Sequence, residues 1–221
     1  SLPPARGSLY DLIIAAAKAN LRVNAIAVTA RDLDDYLDVI EGVNKQIPVI
    51  NRRFVLQHLT YITESQQQKI KKSGIVITMI PGKMIWMSGS KAVKGINANE
   101  LNNYVPLKSM VEKEIPFVLS TDNKPINPLH AFWVAVSRID RTTGDIIGSS
   151  QKIPREDALK ALTINGAYLT FEDKIKGSIE TGKLADMVVL SNDILTCPED
   201  EITEIEVLLT MVDGKIVYTK N

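Results

Sequence analysis

Phe54-Val55-Leu56-Gln57-His58, Thr63-Glu64-Ser65 through Lys72, and Ser73-Gly74-Ile75-Val76-Ile77-Thr78-Met79-Ile80 make up the stretch whose reading decides the fold. The first segment is short and apolar, as a buried strand requires. The second is polar, opens on residues that favour helix starts, and is stopped by Ser73-Gly74. The third is a second apolar run rich in β-branched side chains. Two buried strands joined through one helix predict parallel pairing with a right-handed crossover.

The same rhythm extends in both directions. Upstream, Leu9, Leu12, Ile13, Ala16 and Ala17 share a helical face behind a possible Ser8 cap, and Leu21–Ala27 reads as a strand. Leu33, Tyr36, Leu37 and Ile40 then give a helix over Asp32–Asn44. Downstream, residues 81–98 have no clean period and read as a long loop, functional or mobile. Asn99–Glu114 is expected to be helical, Ile115–Ser120 a fourth strand ending at Thr121-Asp122, and Pro128–Arg138 a helix. Pro154 is expected to open a further helix towards Tyr168. Beyond residue 177 the texture turns extended, with Met187–Leu190, Val207–Val212 and Ile216–Tyr218 as strands. Asp213-Gly214 is the turn pair of a hairpin, because both positions need positive φ. The expected organisation is a linker or cut terminus over 1–7, a partial barrel over 8–176, and C-terminal strands of a sandwich over 177–221.

Composition narrows the function. Among 221 residues, 26 Lys and Arg balance 26 Asp and Glu, which argues against nucleic acid or an anionic membrane surface as partner. The longest apolar run, Leu12–Ala17, is far below the roughly 20 residues that span a bilayer. One cysteine, Cys197, permits no internal disulfide and agrees with a reducing, cytoplasmic setting. Two histidines, His58 and His130, are too few for a metal centre held mainly by imidazole.

His58 and Asp122 each follow an apolar strand directly, and in parallel α/β folds the C-terminal strand ends face the catalytic side. Such a pair could hold a divalent metal or work as acid and base on a bound water; equally, His58 could satisfy a backbone group and Asp122 cap a turn. His130 falls on an apolar stripe with Phe132 and Trp133, which suits packing or contact with a substrate. Met79, Met84, Trp86 and Met87 could line an apolar substrate pocket or fill irregular core. Lys69, Lys71 and Lys72 end a helix, where basic charge complements the dipole and stays solvated.

Arg53–His58, Ser120-Thr121-Asp122-Asn123-Lys124-Pro125 and above all Gly177-Ser178-Ile179-Glu180-Thr181-Gly182-Lys183-Leu184-Ala185-Asp186-Met187-Val188-Val189-Leu190 resemble the amidohydrolase superfamily. Leu195–Pro198 and Leu208–Tyr218 resemble the tail of the branch called amidohydrolase family three. The resemblance covers the second half of such an enzyme. It implies an α/β chain carrying about four strand-helix units of a (β/α)8 barrel plus part of a small β-sandwich, and metal-dependent hydrolysis of amide, cyclic amide or ester bonds in small molecules.

Carried over, the family's sixth-strand histidine falls on His58 and its eighth-strand aspartate, a metal ligand that takes a proton from water, on Asp122. The fifth-strand histidine falls on Asn24, a poor transition-metal ligand, and the glutamate before the sixth-strand histidine is Gln57. Arg53, Gln57, His130 and Trp86 are the candidate substrate contacts. The family's cofactor is a divalent metal, most commonly zinc, expected here to be weakly held or absent. The chain thus reads as a truncated or degenerate amidohydrolase, inactive in isolation, and the opposing reading is a non-catalytic ligand-binding or structural module. A half barrel with uncovered strand edges predicts a homo-oligomer or a complement from the missing N-terminal half.

Overall fold

The computed structural model describes residues 4–122 and 125–220; Asn123 and Lys124 of the quoted motif lie outside them. The chain divides into two compact units, residues 1–79 with 93–117 and residues 80–92 with 118–221.

In the first unit α1 (Pro4–Lys18) packs on α2 (Ala30–Asn44). The first helix reaches into the stretch expected to be a linker and carries Ser8 inside it rather than as its cap. Thr29 and Asp32 close a reciprocal box at the start of α2: Thr29 Oγ1 accepts from the Asp32 N–H at 3.1 Å, and Asp32 Oδ2 accepts from the Thr29 N–H at 2.9 Å. The Thr29 N–H, with the Thr29 hydroxyl, holds the exposed Asp32 carboxyl below its ordinary range. Leu33, Tyr36, Leu37, Val39, Ile40 and Val43 are all buried. Strands β1 (Asn24–Ile26), β2 (Val55–Gln57) and β3 (Val76–Met79) pair in parallel. Between the last two, α3 (Glu64–Ser73) starts at a second box, Thr63 with Gln66, and ends at Gly74. That glycine has φ +64°, and a Cβ there would lie 2.0 Å from the Ile50 carbonyl oxygen, so no side chain fits.

The lysines ending α3 are exposed, as expected, and two of them also find partners. Lys71 donates to the carbonyls of Lys113 and Glu114 at 2.8 and 3.1 Å, and Lys69 pairs with Asp38 at 3.0 Å. A single helix over Asn99–Glu114 is not formed. Pro106, preceded by Val105 at φ +45°, separates α5 (Ala98–Leu101) from α6 (Leu107–Glu112). The first sheet runs in the order β1-β2-β3-β4, with β4 at Phe117–Leu119. Its lead-in residue, Pro116, accepts from the Ile77 N–H at 3.0 Å.

In the second unit the expected loop after β3 is instead helical. A π-helical turn spans Gly82–Trp86, closed by the Met87 N–H donating to the Gly82 carbonyl at 3.0 Å, and α4 (Gly89–Ala92) follows. Helix α7 (Pro128–Ser137) is capped by Asn127, whose Oδ1 accepts from the Leu129 N–H, and ends at Arg138 in the left-handed conformation. Arg138 and Asp140 are fully buried. Arg138 donates to the Ile147 carbonyl at 2.5 Å, while Asp140 accepts from the N–H groups of Ser90, Thr142 and Thr143 at 2.8–3.1 Å. Burial pushes the Asp140 carboxyl up, but those donors outweigh it and leave it lowered. The helix expected from Pro154 to Tyr168 is two helices, α8 (Arg155–Leu162) and α9 (Ile164–Leu169), separated by Thr163.

The Gly177–Leu190 stretch owes its composition to this packing. A Cβ on Gly177, at φ +94°, would sit 2.7 Å from the Ala167 Cβ and 2.9 Å from the Ile164 Cα. Lys183 Nζ donates to Ser178 Oγ at 2.6 Å and to Glu180 at 3.3 Å, tying the turn together. Asp186 Oδ1 accepts from the Asp213 N–H at 2.8 Å, which fastens β5 (Met187–Leu190) to the hairpin turn between β6 (Val207–Val212) and β7 (Lys215–Thr219). These strands form an antiparallel sheet in the order β5-β6-β7, and Asp213 and Gly214 both have positive φ, as the turn pair predicts.

Candidate functional site

His58 follows the last residue of β2 and leaves the strand at φ +65°. Its ring is half-buried, and its carbonyl accepts from Thr60 Oγ1 at 3.4 Å. Gln57, one residue earlier, pairs in register with Ile26, while Asn24 pairs with Val55. Alternate residues of a strand share a face, so Asn24 and Gln57 project from the same face of the β1–β2 pair. Gln57 Nε2 donates to Asn24 Oδ1 at 2.7 Å. Asn24 opens β1, upstream of the level of His58. Arg53 stands before Phe54 with a left-handed backbone, φ +49°.

In the second unit the chain emerging from β4 reaches Asp122, whose backbone is also left-handed at φ +54°. Lys83 Nζ donates to Asp122 Oδ2 at 3.2 Å. The π-helical turn that carries Lys83 packs against α7. A Cβ on Gly82 would lie 3.4 Å from both His130 Nδ1 and Pro125 Cδ. The His130 ring meets Trp86 edge to face at 4.6 Å and Trp133 at 5.6 Å, and the Arg141 guanidinium lies 5.1 Å from the Trp86 ring centre.

Both ring nitrogens of His130 are buried without a hydrogen-bond partner among the described residues, as is Trp133 Nε1. Burial lowers the His130 pKa, so the ring is held in its neutral form. Trp86 and His130, two candidate contacts 44 positions apart in sequence, are thus brought together, as are Asn24 and Gln57. Lys83 and Arg141 escaped the sequence reading. Pro81-Gly82 ahead of Lys83 looks like a loop, because a helix that closes i to i+5 leaves no period-3.6 pattern to find.

The sequence pattern described as the amidohydrolase family matches residues 3–218. An N-substituted formamide deformylase of Arthrobacter pascens is 27% identical over 218 residues, which is 97% of this chain and 40% of that protein. Protein LONG AFTER FAR-RED 3 of Arabidopsis thaliana is 30% identical over 95% of this chain and 36% of its own length. The chain therefore spans about two fifths of the length of these curated relatives. Among solved structures, an uncharacterized metal-dependent hydrolase from Pyrococcus horikoshii superposes with a TM-score of 0.73 at 21% identity, over 88% of this chain and 39% of its own. An adenosine deaminase from Xanthomonas campestris with bound zinc gives a TM-score of 0.65 at 17% identity, over 97% of this chain and 49% of its own. These likenesses show the fold, a share of a TIM-type barrel.

Among the described residues the donors do not make up a zinc site. Closed zinc sites take four nitrogen, sulfur or carboxylate ligands, and catalytic sites three. Among the described residues no group of three or more His, Cys, Asp or Glu side chains could hold a metal. In the first unit Asn24 offers only a neutral amide oxygen, and that oxygen is already bonded to Gln57. In the second, Asp122 faces an ammonium.

Proposed function

Because the chain belongs to the amidohydrolase family, we propose that it carries the C-terminal share of a site that hydrolyses amide, cyclic amide or ester bonds of small molecules, with Asp122 accepting the proton of the attacking water. The observation that carries this reading is a carboxylate just beyond β4 with a cation 3.2 Å from one of its oxygens. Water adds its oxygen to the carbonyl carbon while its proton passes to Asp122; the same proton then goes to the leaving nitrogen or oxygen as the bond breaks. His130 and Trp86, which lie in the same unit as Asp122, are the proposed substrate contacts.

The partner class is a small molecule. Balanced charge speaks against nucleic acid, and among the described residues no helix is long and apolar enough to cross a membrane. The buried free thiol of Cys197 supports a reducing, cytoplasmic setting.

A second reading, a ligand-binding module without turnover, is favoured by one observation: Asn24 and Gln57, joined by a hydrogen bond of 2.7 Å, present neutral amides that can bind a polar group but are poor acids, bases or metal ligands. The relative named as an N-substituted formamide deformylase supplies the probe. Binding of N-substituted formamides is followed through the fluorescence of Trp86 and Trp133, the chain's two tryptophans, with formate release measured in parallel. Release that falls by about 100-fold or more in Asp122→Asn upholds the hydrolytic reading. Saturable binding without release upholds the second, and absence of both defeats the two together.

A further inference from the structure

Lys83 is placed by its turn. Its neighbours Gly82, Met84 and Ile85 are buried, and the turn sits on α7 with Gly82 against His130, so the lysine is the one residue between Pro81 and Ile85 that reaches solvent. Asp122 has a left-handed backbone, φ +54°, a conformation that aspartate adopts more readily than most non-glycine residues. The ammonium and carboxylate meet at 3.2 Å, with the carboxylate the less exposed of the two.

We infer that Lys83 is the counter-cation of Asp122 and that the chain holds this carboxylate without a divalent metal. The argument is one of charge. A second cation arriving at Asp122 would be repelled by the ammonium already there, and among the described residues Asp122 belongs to no group of three or more His, Cys, Asp or Glu side chains that could hold it. Lys83 is accordingly a positioning residue. It fixes the direction of one carboxylate oxygen. The inference stands apart from the proposed hydrolysis, since it concerns zinc uptake and not turnover.

Equilibrium dialysis of the 221-residue chain against zinc chloride, with metal counted by elemental analysis, tests it. Wild type and Asp122→Asn are expected to take up equal, substoichiometric zinc. Lys83→Met should take up zinc about fivefold more tightly than wild type, the scale of one exposed ion pair, and adding Asp122→Asn to it should abolish the gain. Lys83→Arg, which keeps the charge, should behave as wild type. Circular dichroism checks that each variant folds, and Lys83→Gln replaces Lys83→Met if the latter does not. Stoichiometric zinc in the wild type that disappears in Asp122→Asn overturns the inference. So does a neutral Lys83 variant indistinguishable from wild type.

Discussion

His130 combines an ionisable ring with two buried nitrogens that have no hydrogen-bond partner among the described residues and two tryptophan neighbours. Unfolded, it takes a proton near its ordinary value of 6.5; folded, burial holds its pKa lower. Between those two values the unfolded chain binds a proton that the folded chain refuses, so stability must rise with pH across that window. We therefore expect denaturation midpoints to fall as pH drops below about 6.5 and to level off once the folded ring also protonates. His130→Phe should flatten that slope and raise stability near neutral pH by about 1 kcal/mol, because it removes buried polar atoms that have no partner. Urea titrations of both proteins from pH 5 to 8 check this. An unchanged slope in the variant would mean that another group is responsible. Position 130 was legible in sequence as part of an apolar stripe; its unpartnered nitrogens were not, since they depend on which side chains of the preceding π-helical turn face it.

Helix ends carry the clearest local signals in this chain. Thr29 and Asp32 satisfy each other's backbone N–H groups at the start of α2, which buries six side chains in the first unit. Replacing Thr29 with Ala should cost about 1 kcal/mol, measurable as a lower urea midpoint with an unchanged m-value. Thr29→Ser, which keeps the oxygen, should cost less. The helix of α2, the strands β2, β3 and β5–β7 and the Asp213-Gly214 turn followed from periodicity and turn chemistry. Where elements were misread, backbone events overrode a continuing apolar pattern: Val105 turns left-handed ahead of Pro106, and Thr163 interrupts the run from α8 to α9. Residues 82–86 coil with the wider π pitch, for which sequence offers no repeat.

At the scale of the whole molecule, each unit exposes apolar side chains that a water-facing surface rarely gathers. Ile26 and Val28, in and after the edge strand β1, are 62% and 68% exposed, and every residue of β7 is exposed, Ile216 and Val217 to 58% and 61%. We expect copies of the chain to associate, so that light scattering at micromolar concentration gives a mass above the 24.4 kDa of one chain. A monomeric mass would mean that these rows are tolerated in water. Family and fold class were set by sequence alone, because alternating apolar runs dictate parallel strands and because Gly177, Lys183 and Asp186 answer to local packing and turn geometry. His58 and Asp122 could be named in advance for the same reason: a position just beyond a strand is a matter of order along the chain. Which groups meet those positions was decided only by tertiary structure. Gln57 on Asn24 and Lys83 on Asp122 are contacts between residues 33 and 39 positions apart, and nothing in a linear pattern tells a donor which distant acceptor the fold will bring within 3 Å or so.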